Sequence, residues 1–122
     1  IDDSIFHVKQ TKIIPIKALH YKLPVLGFRI KNFVYLTDLN TISEQEKEKM
    51  HDADVIVLDS LRKEPHISHL CLEESLELLK ELKPKKAYLI HISHLMGLHD
   101  NVNKELPENV QLSYDGLKIN LS

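Results

Sequence analysis

The chain has 122 residues, 43% of them apolar and 28% charged, the proportions of one ordinary globular unit. Sixteen Lys and Arg against eighteen Asp and Glu leave a formal charge of −2, so no basic footprint points to nucleic acid and no like-charge block reads as a disordered tail. The longest stretch without Asp, Glu, Lys or Arg, Ala87–His99, is too short and too polar to span a membrane.

Three scattered glycines exclude a Gly-rich phosphate loop. The single cysteine, Cys71, excludes an internal disulfide and fits a reducing compartment, the cytoplasm. Eight histidines are the feature that stands out. The first residue is Ile rather than Met, and no charged segment with an apolar core follows it, so no signal peptide is read there.

In chain order, Ile5–Leu19 reads as one long extended segment running to His20, with Pro15 arguing for a sheet edge or strand end. Leu26–Ile30 and Phe33–Thr37 read as a hairpin through Lys31-Asn32, with Asn32 as the residue that tolerates positive φ. Ser43 and Glu46 form a capping box for a charged surface helix running to His51. The apolar run Asp54–Asp59 predicts a strand buried on both faces.

Leu72, Leu76, Leu79 and Leu82 recur at helical spacing and predict a helix over Leu72–Leu82, ended by Lys83-Pro84. Ala87–Ile90 is a second buried strand. With Asp54–Asp59 and the helix it makes a βαβ unit, for which a parallel pair and a right-handed crossover are expected. A short helix over Asn101–Leu106 stops at Pro107. Val110–Ser113 and Leu117–Asn120 read as a terminal hairpin turned by Asp115-Gly116.

In α/β sheets functional residues gather at the carboxyl ends of strands. Here those ends carry His20, Asp38 and His91, with His66 and His69 just before the strong helix. Imidazole and carboxylate are the usual ligands of Zn²⁺ and related ions. Taken singly, each has a plainer reading. An Asp after a strand is most often a turn or cap residue, and a strand-end His a hydrogen bonder. His66 and His69 could cap the helix, and His7, His51, His94 and His99 lie at the surface. Their coincidence at one rim is what points to a metal or phosphate site.

The segments KALHYKLPVLGFRI, FVYLTDLNTI and EPHISHLCLEESLELLKELKPKKAYLIHISH, in that order, resemble the C-terminal half of a metallo-β-lactamase fold hydrolase. Pro-His-x-Ser-His-Leu and the later His-x-Ser-His are the most specific parts. They are most similar to the branch holding the phosphodiesterases of phosphonate breakdown and the phosphoribosyl cyclic phosphodiesterases. The resemblance implies an αββα sandwich, of which this chain is one partial domain over residues 1–122: a mixed sheet with helices on one face.

It also implies a dinuclear site of two Zn²⁺ or Mn²⁺ ions. His20 would be a ligand of the first ion, Asp38 the bridging carboxylate and His91 a ligand of the second. His69 would be the non-ligand histidine that protonates the leaving group or holds the phosphate, aided by a helix N-terminus that favours anions. His66 is at best a supporting residue, and Cys71 is structural.

The family's His-x-His-x-Asp-His signature is absent from these 122 residues. The expectation is therefore a C-terminal piece of a longer enzyme, inactive alone, acting on a small phosphodiester, cyclic or linear. An exposed sheet face would be covered by the missing half or by self-association. A tRNA-processing nuclease of the same fold and a non-catalytic α/β module with structural histidines are the alternatives.

Overall fold

Short β-rich segments at the start of the chain and a βαβ unit in its middle assemble into one mixed sheet. The computed structural model describes residues 4–60, 63, 70–90, 99–114 and 117–119. Its strands are β1 (Phe6–Val8), β2 (Thr11–His20), β3 (Leu23–Ile30), β4 (Phe33–Leu36), β5 (Val55–Asp59), β6 (Lys86–Ile90) and β7 (Val110–Leu112), which lie side by side in sequence order. The pairs from β1 to β4 are antiparallel and those from β4 to β7 parallel. One row, Pro15–Phe28–Tyr35–Val57–Tyr88–Gln111, crosses six strands.

That register follows from burial. Ile16, Leu36, Leu58, Leu89 and Leu112 are all nearly inaccessible on the next level, where they meet Leu78, Leu79 and Leu82 of helix α2 (Leu72–Leu82) and Val102 of helix α3 (His99–Glu105). A slip of one residue would turn this whole set to the other face. Gly27 belongs to this level for a steric reason. A Cβ there would stand 2.5 Å from Leu36 Cδ1 and 2.6 Å from the Tyr35 carbonyl oxygen. The opposite face is smaller: Val55, Val57 and Tyr88 pack with Phe33, Ile90, Leu117 and Ile119. The chain's own last described residues thus cover part of the apolar face expected to lie open.

The helix over Leu72–Leu82 and the parallel β5–β6 pair match the expectation. Lys83 closes α2 in the left-handed region at φ 53, with its N–H on the Leu79 carbonyl at 2.8 Å. Four local readings are corrected, the last being the Ser43–Glu46 capping box. The first extended segment is a hairpin, β1–β2, folding at Lys9-Gln10 with Lys9 at φ 56. No Gly, Asn or Pro marks that turn, and the alternation runs on through it. In the β3–β4 turn the positive φ falls on Lys31, at 52°, and not on Asn32, the pattern of a type II′ rather than a type I′ turn. Leu117–Ile119 form no strand, so there is no terminal hairpin among the described residues. β7 instead pairs in parallel with β6.

Pro15 does mark an edge. Beyond Ile13, no strand among the described residues pairs with the outer side of β2. Helix α1 (Glu44–Lys47) and the single 3₁₀ turn after it cover that edge. Lys49 Nζ donates to the Pro15 carbonyl at 3.0 Å, and the Lys17 N–H donates to Glu46 Oε1 at 2.7 Å. Glu46 therefore does not complete a capping box. Only the Ser43 hydroxyl caps α1, accepting from the Glu46 N–H at 3.2 Å.

Candidate metal centre at the carboxyl rim

Because β2 and β4 are both antiparallel to β3, β2 runs the same way as β4, β5, β6 and β7. Their carboxyl ends consequently share one rim. His20 is the last residue of β2, Asp38 lies two residues past β4, Asp59 ends β5 and Ile90 ends β6. Of the residues singled out from the sequence, the structure places His20 and Asp38 on this rim, both half-buried. His66, His69, His91 and His94 lie outside the described residues.

Asp38 adopts φ 60, a conformation that Asp visits more readily than most side chains because its short carboxylate can bond locally. The next residue is held from two sides. The Leu39 N–H donates to Asp59 Oδ2 at 3.1 Å, and the Leu39 carbonyl accepts from the Leu70 N–H at 2.8 Å. The chain just after Asp38 is thereby joined to β5 and to the residue that follows His69. On the far side, the Ser60 N–H donates to the Ile90 carbonyl at 3.0 Å, joining the end of β5 to the residue that precedes His91.

Asp59 is the rim residue that sequence reasoning passed over, reading it only as the acidic end of a strand. Its side chain is fully buried. A carboxylate taken out of water is costly unless hydrogen bonds compensate it, and here it orients the Leu39 backbone. The signal available was a charged residue closing an otherwise apolar run. Ser75, one turn into α2, donates to the Asp59 carbonyl at 2.6 Å and locks the helix to the same strand end.

The start of α2 differs from the anion-binding terminus expected. Glu73 and Glu74 stand in the first turn, and Glu74 Oε1 accepts the Cys71 N–H at 3.0 Å. The chain's own acids thus stand in the first turn, one of them on the N-cap N–H. Cys71 is buried, and desolvation pushes its thiol above the usual range, which suits a structural role and not a nucleophile.

The donor set fits a divalent cation. A carboxylate and an imidazole occur on the same rim, while Thr37 Oγ1, one residue before Asp38, and Ser60 Oγ, one residue after Asp59, are buried without a hydrogen-bond partner among the described residues. Among the described residues no three His, Cys, Asp or Glu form a group able to hold a metal; of the six residues singled out at the rim and before the helix, His20 and Asp38 are described and His66, His69, His91 and His94 are not. Among them, too, no helix is long and apolar enough to cross a membrane.

Comparison with known proteins agrees with this geometry. The family described as the beta-lactamase superfamily domain matches residues 1–92. A solved structure described as a new diphosphatase from the PhnP family superposes with a TM-score of 0.96 at 33% identity, covering 100% of this chain and 48% of that one. The chain is 30% identical over 117 residues to a Porphyromonas gingivalis (strain ATCC BAA-308 / W83) protein named octanoyltransferase, which covers 95% of this chain and 24% of that protein. The short form of human tRNase Z shares the fold alone, at a TM-score of 0.73 and 17% identity, covering 96% of this chain and 46% of that one. The chain thus spans about half the length of the first solved relative and about a quarter of the curated one.

Proposed function

The chain belongs to the beta-lactamase superfamily and has the metallo-β-lactamase fold of its hydrolases, and from that premise we propose that it supplies half of the metal centre of a phosphodiester hydrolase. The observation that carries this reading is the shared rim: His20 and Asp38 stand at the carboxyl ends of two co-directional strands whose loops are hydrogen-bonded to each other. Asp38 would bridge two ions, His20 would hold one and His91 the other, and the remaining ligands would come from a His-x-His-x-Asp-His segment not contained in these 122 residues. Bound divalent ions supply Lewis acidity and a nucleophile drawn from water at neutral pH.

The chain's own residues do the rest. Asp38, at φ 60 with Leu39 after it held by Asp59, would present its carboxylate at this rim. His69 gives its proton to the departing alkoxide. This role is supported by the bond between Leu70, next after it, and Leu39, next after Asp38. A small phosphodiester suits the near-neutral charge of −2 better than a long nucleic acid does. The diphosphatase relative favours a phosphoanhydride as the second reading.

The test is a substrate panel run on the protein at its natural length, stripped with a chelator and reloaded with Zn²⁺ or Mn²⁺. A cyclic phosphodiester, an aryl phosphodiester, a diphosphate ester and a precursor tRNA would be compared. Metal-dependent turnover of the phosphodiesters, lost in Asp38→Ala, is expected. Turnover of the diphosphate ester alone would select the second reading, turnover of tRNA alone a nuclease, and none at all a non-catalytic module.

A further inference from the structure

We propose that Asn40 is a positioning residue of the metal site, setting the placement of His20 relative to Asp38. The inference rests on the reading of those two residues as ligands and adds what holds them together. His20 is flanked by Leu19 and Tyr21, and both neighbours are tied to the segment just past Asp38. The Leu19 N–H donates to the Thr41 carbonyl at 2.9 Å, and the Leu19 carbonyl accepts from the Asn40 N–H at 2.8 Å. The Tyr21 N–H donates to Asn40 Oδ1 at 2.8 Å. A side chain therefore closes on one side of His20 what the backbone closes on the other.

The conformation of Tyr21 shows why a side-chain acceptor is needed. Tyr21 sits at φ 58, where a bulky aromatic residue persists only if its surroundings over-determine it. The β2–β3 hairpin turns at this point, since His20 pairs with Leu23, and the Tyr21 N–H faces outward from the ladder. The amide oxygen of Asn40 takes up that N–H. On its other side the same segment is anchored through Leu39 to Asp59 and Leu70. Residues 39–41 thus form a brace with His20 on one side and Asp38 at its end, and Asn40 is the member of that brace whose side chain holds the hairpin.

Partners of this kind, which orient ligands without touching the metal, typically change metal affinity or activity by roughly 10–100-fold when removed. The experiment titrates Zn²⁺ against the chelator-stripped protein at its natural length and records the melting of the metal-free form. Asn40→Ala, which removes the acceptor, should weaken Zn²⁺ binding by roughly 10–100-fold. Asn40→Asp, which keeps an acceptor oxygen at the same reach, should bind at least as tightly as the parent. If Asn40→Ala does not fold, Asn40→Ser, whose hydroxyl is one bond too short, takes its place with the same expected loss.

Wild-type Zn²⁺ affinity in Asn40→Ala, even with a lowered melting temperature, would show a structural bond only and overturn the proposal. So would equal losses in the Ala and Asp variants. Asp38→Ala separates the two levels of the argument. If it keeps full affinity, the ligand reading fails and the positioning role with it. If it loses Zn²⁺ while Asn40→Ala does not, the positioning role alone fails.

Discussion

At the scale of single residues, the roles proposed for His69 as an acid and for His20 and His91 as ligands can be told apart by measurement. A general acid helps most when the leaving group is a poor one. His69→Ala should therefore lower kcat by roughly 10²–10⁴ for an alkyl phosphodiester. The loss should shrink for an aryl phosphodiester, and metal content should stay at the parent level. Equal losses on both substrates, or an emptied metal site, would make His69 a ligand or a structural residue. Cys71 offers an independent check on the neighbouring helix start. Burial raises its thiol, so the neutral form is favoured in the folded state. Its contribution to stability is then present below the ordinary thiol pKa and lost as pH rises past it. Alkylation by iodoacetamide at pH 8 should accordingly be at least about tenfold slower in the native protein than in urea, a ratio read by mass spectrometry.

At the scale of elements, the close approach of β3 to β4 depends on one missing side chain. Gly27→Ala would push a methyl group against a flexible side-chain end, Leu36 Cδ1, and against the Tyr35 carbonyl, which is backbone and can yield only by parting the strands. Overpacking of this kind should cost about 1–3 kcal/mol in a denaturant titration. Lys83 presents the opposite case, a left-handed C-cap occupied by a side chain. Lys83→Gly should stabilise by up to about 1 kcal/mol, since glycine reaches φ 53 without steric cost. The elements legible from the sequence are those whose burial leaves a one-dimensional trace. The Leu72–Leu82 spacing and the run ending at Asp59 gave α2 and β5 almost to the residue. The turn at Lys9 left no trace, because lysine is not a turn residue and only tertiary pairing holds it there, whereas the hairpin at Lys31-Asn32 was legible from Asn32 and only the position of its positive φ, on Lys31, was not. The terminal hairpin failed for the converse reason: the Asp115-Gly116 signal is local, and Leu117 and Ile119 find burial on the sheet face without joining a ladder.

At the scale of the whole molecule, strand direction made the candidate site partly readable. Knowing which segments end together was enough to bring His20 and Asp38 to one rim. The brace through Leu39 and Asn40 was not readable, because it joins residues 19 to 21 with residues 39 to 41 and then with Asp59 and Leu70 through backbone groups, two of them taken up by the Asn40 and Asp59 side chains, and pairing so distant in the chain leaves no local signature. The same arrangement fixes what the 122 residues can do when expressed alone. A Zn²⁺ site needs three protein donors or more to bind tightly. The chain offers His20, Asp38 and His91, and in the proposed centre these are shared between two ions, so neither ion receives more than two of them. Expressed alone, the chain should therefore bind at most one Zn²⁺, weakly, and should hydrolyse an aryl phosphodiester no faster than buffer. A longer protein carrying the His-x-His-x-Asp-His segment should bind two. Metal content after gel filtration, together with a chelator-competition titration, measures both forms. Two tight sites on the 122 residues alone would mean that the donors come from histidines other than those placed in the centre, and the proposed division of ligands would have to be abandoned.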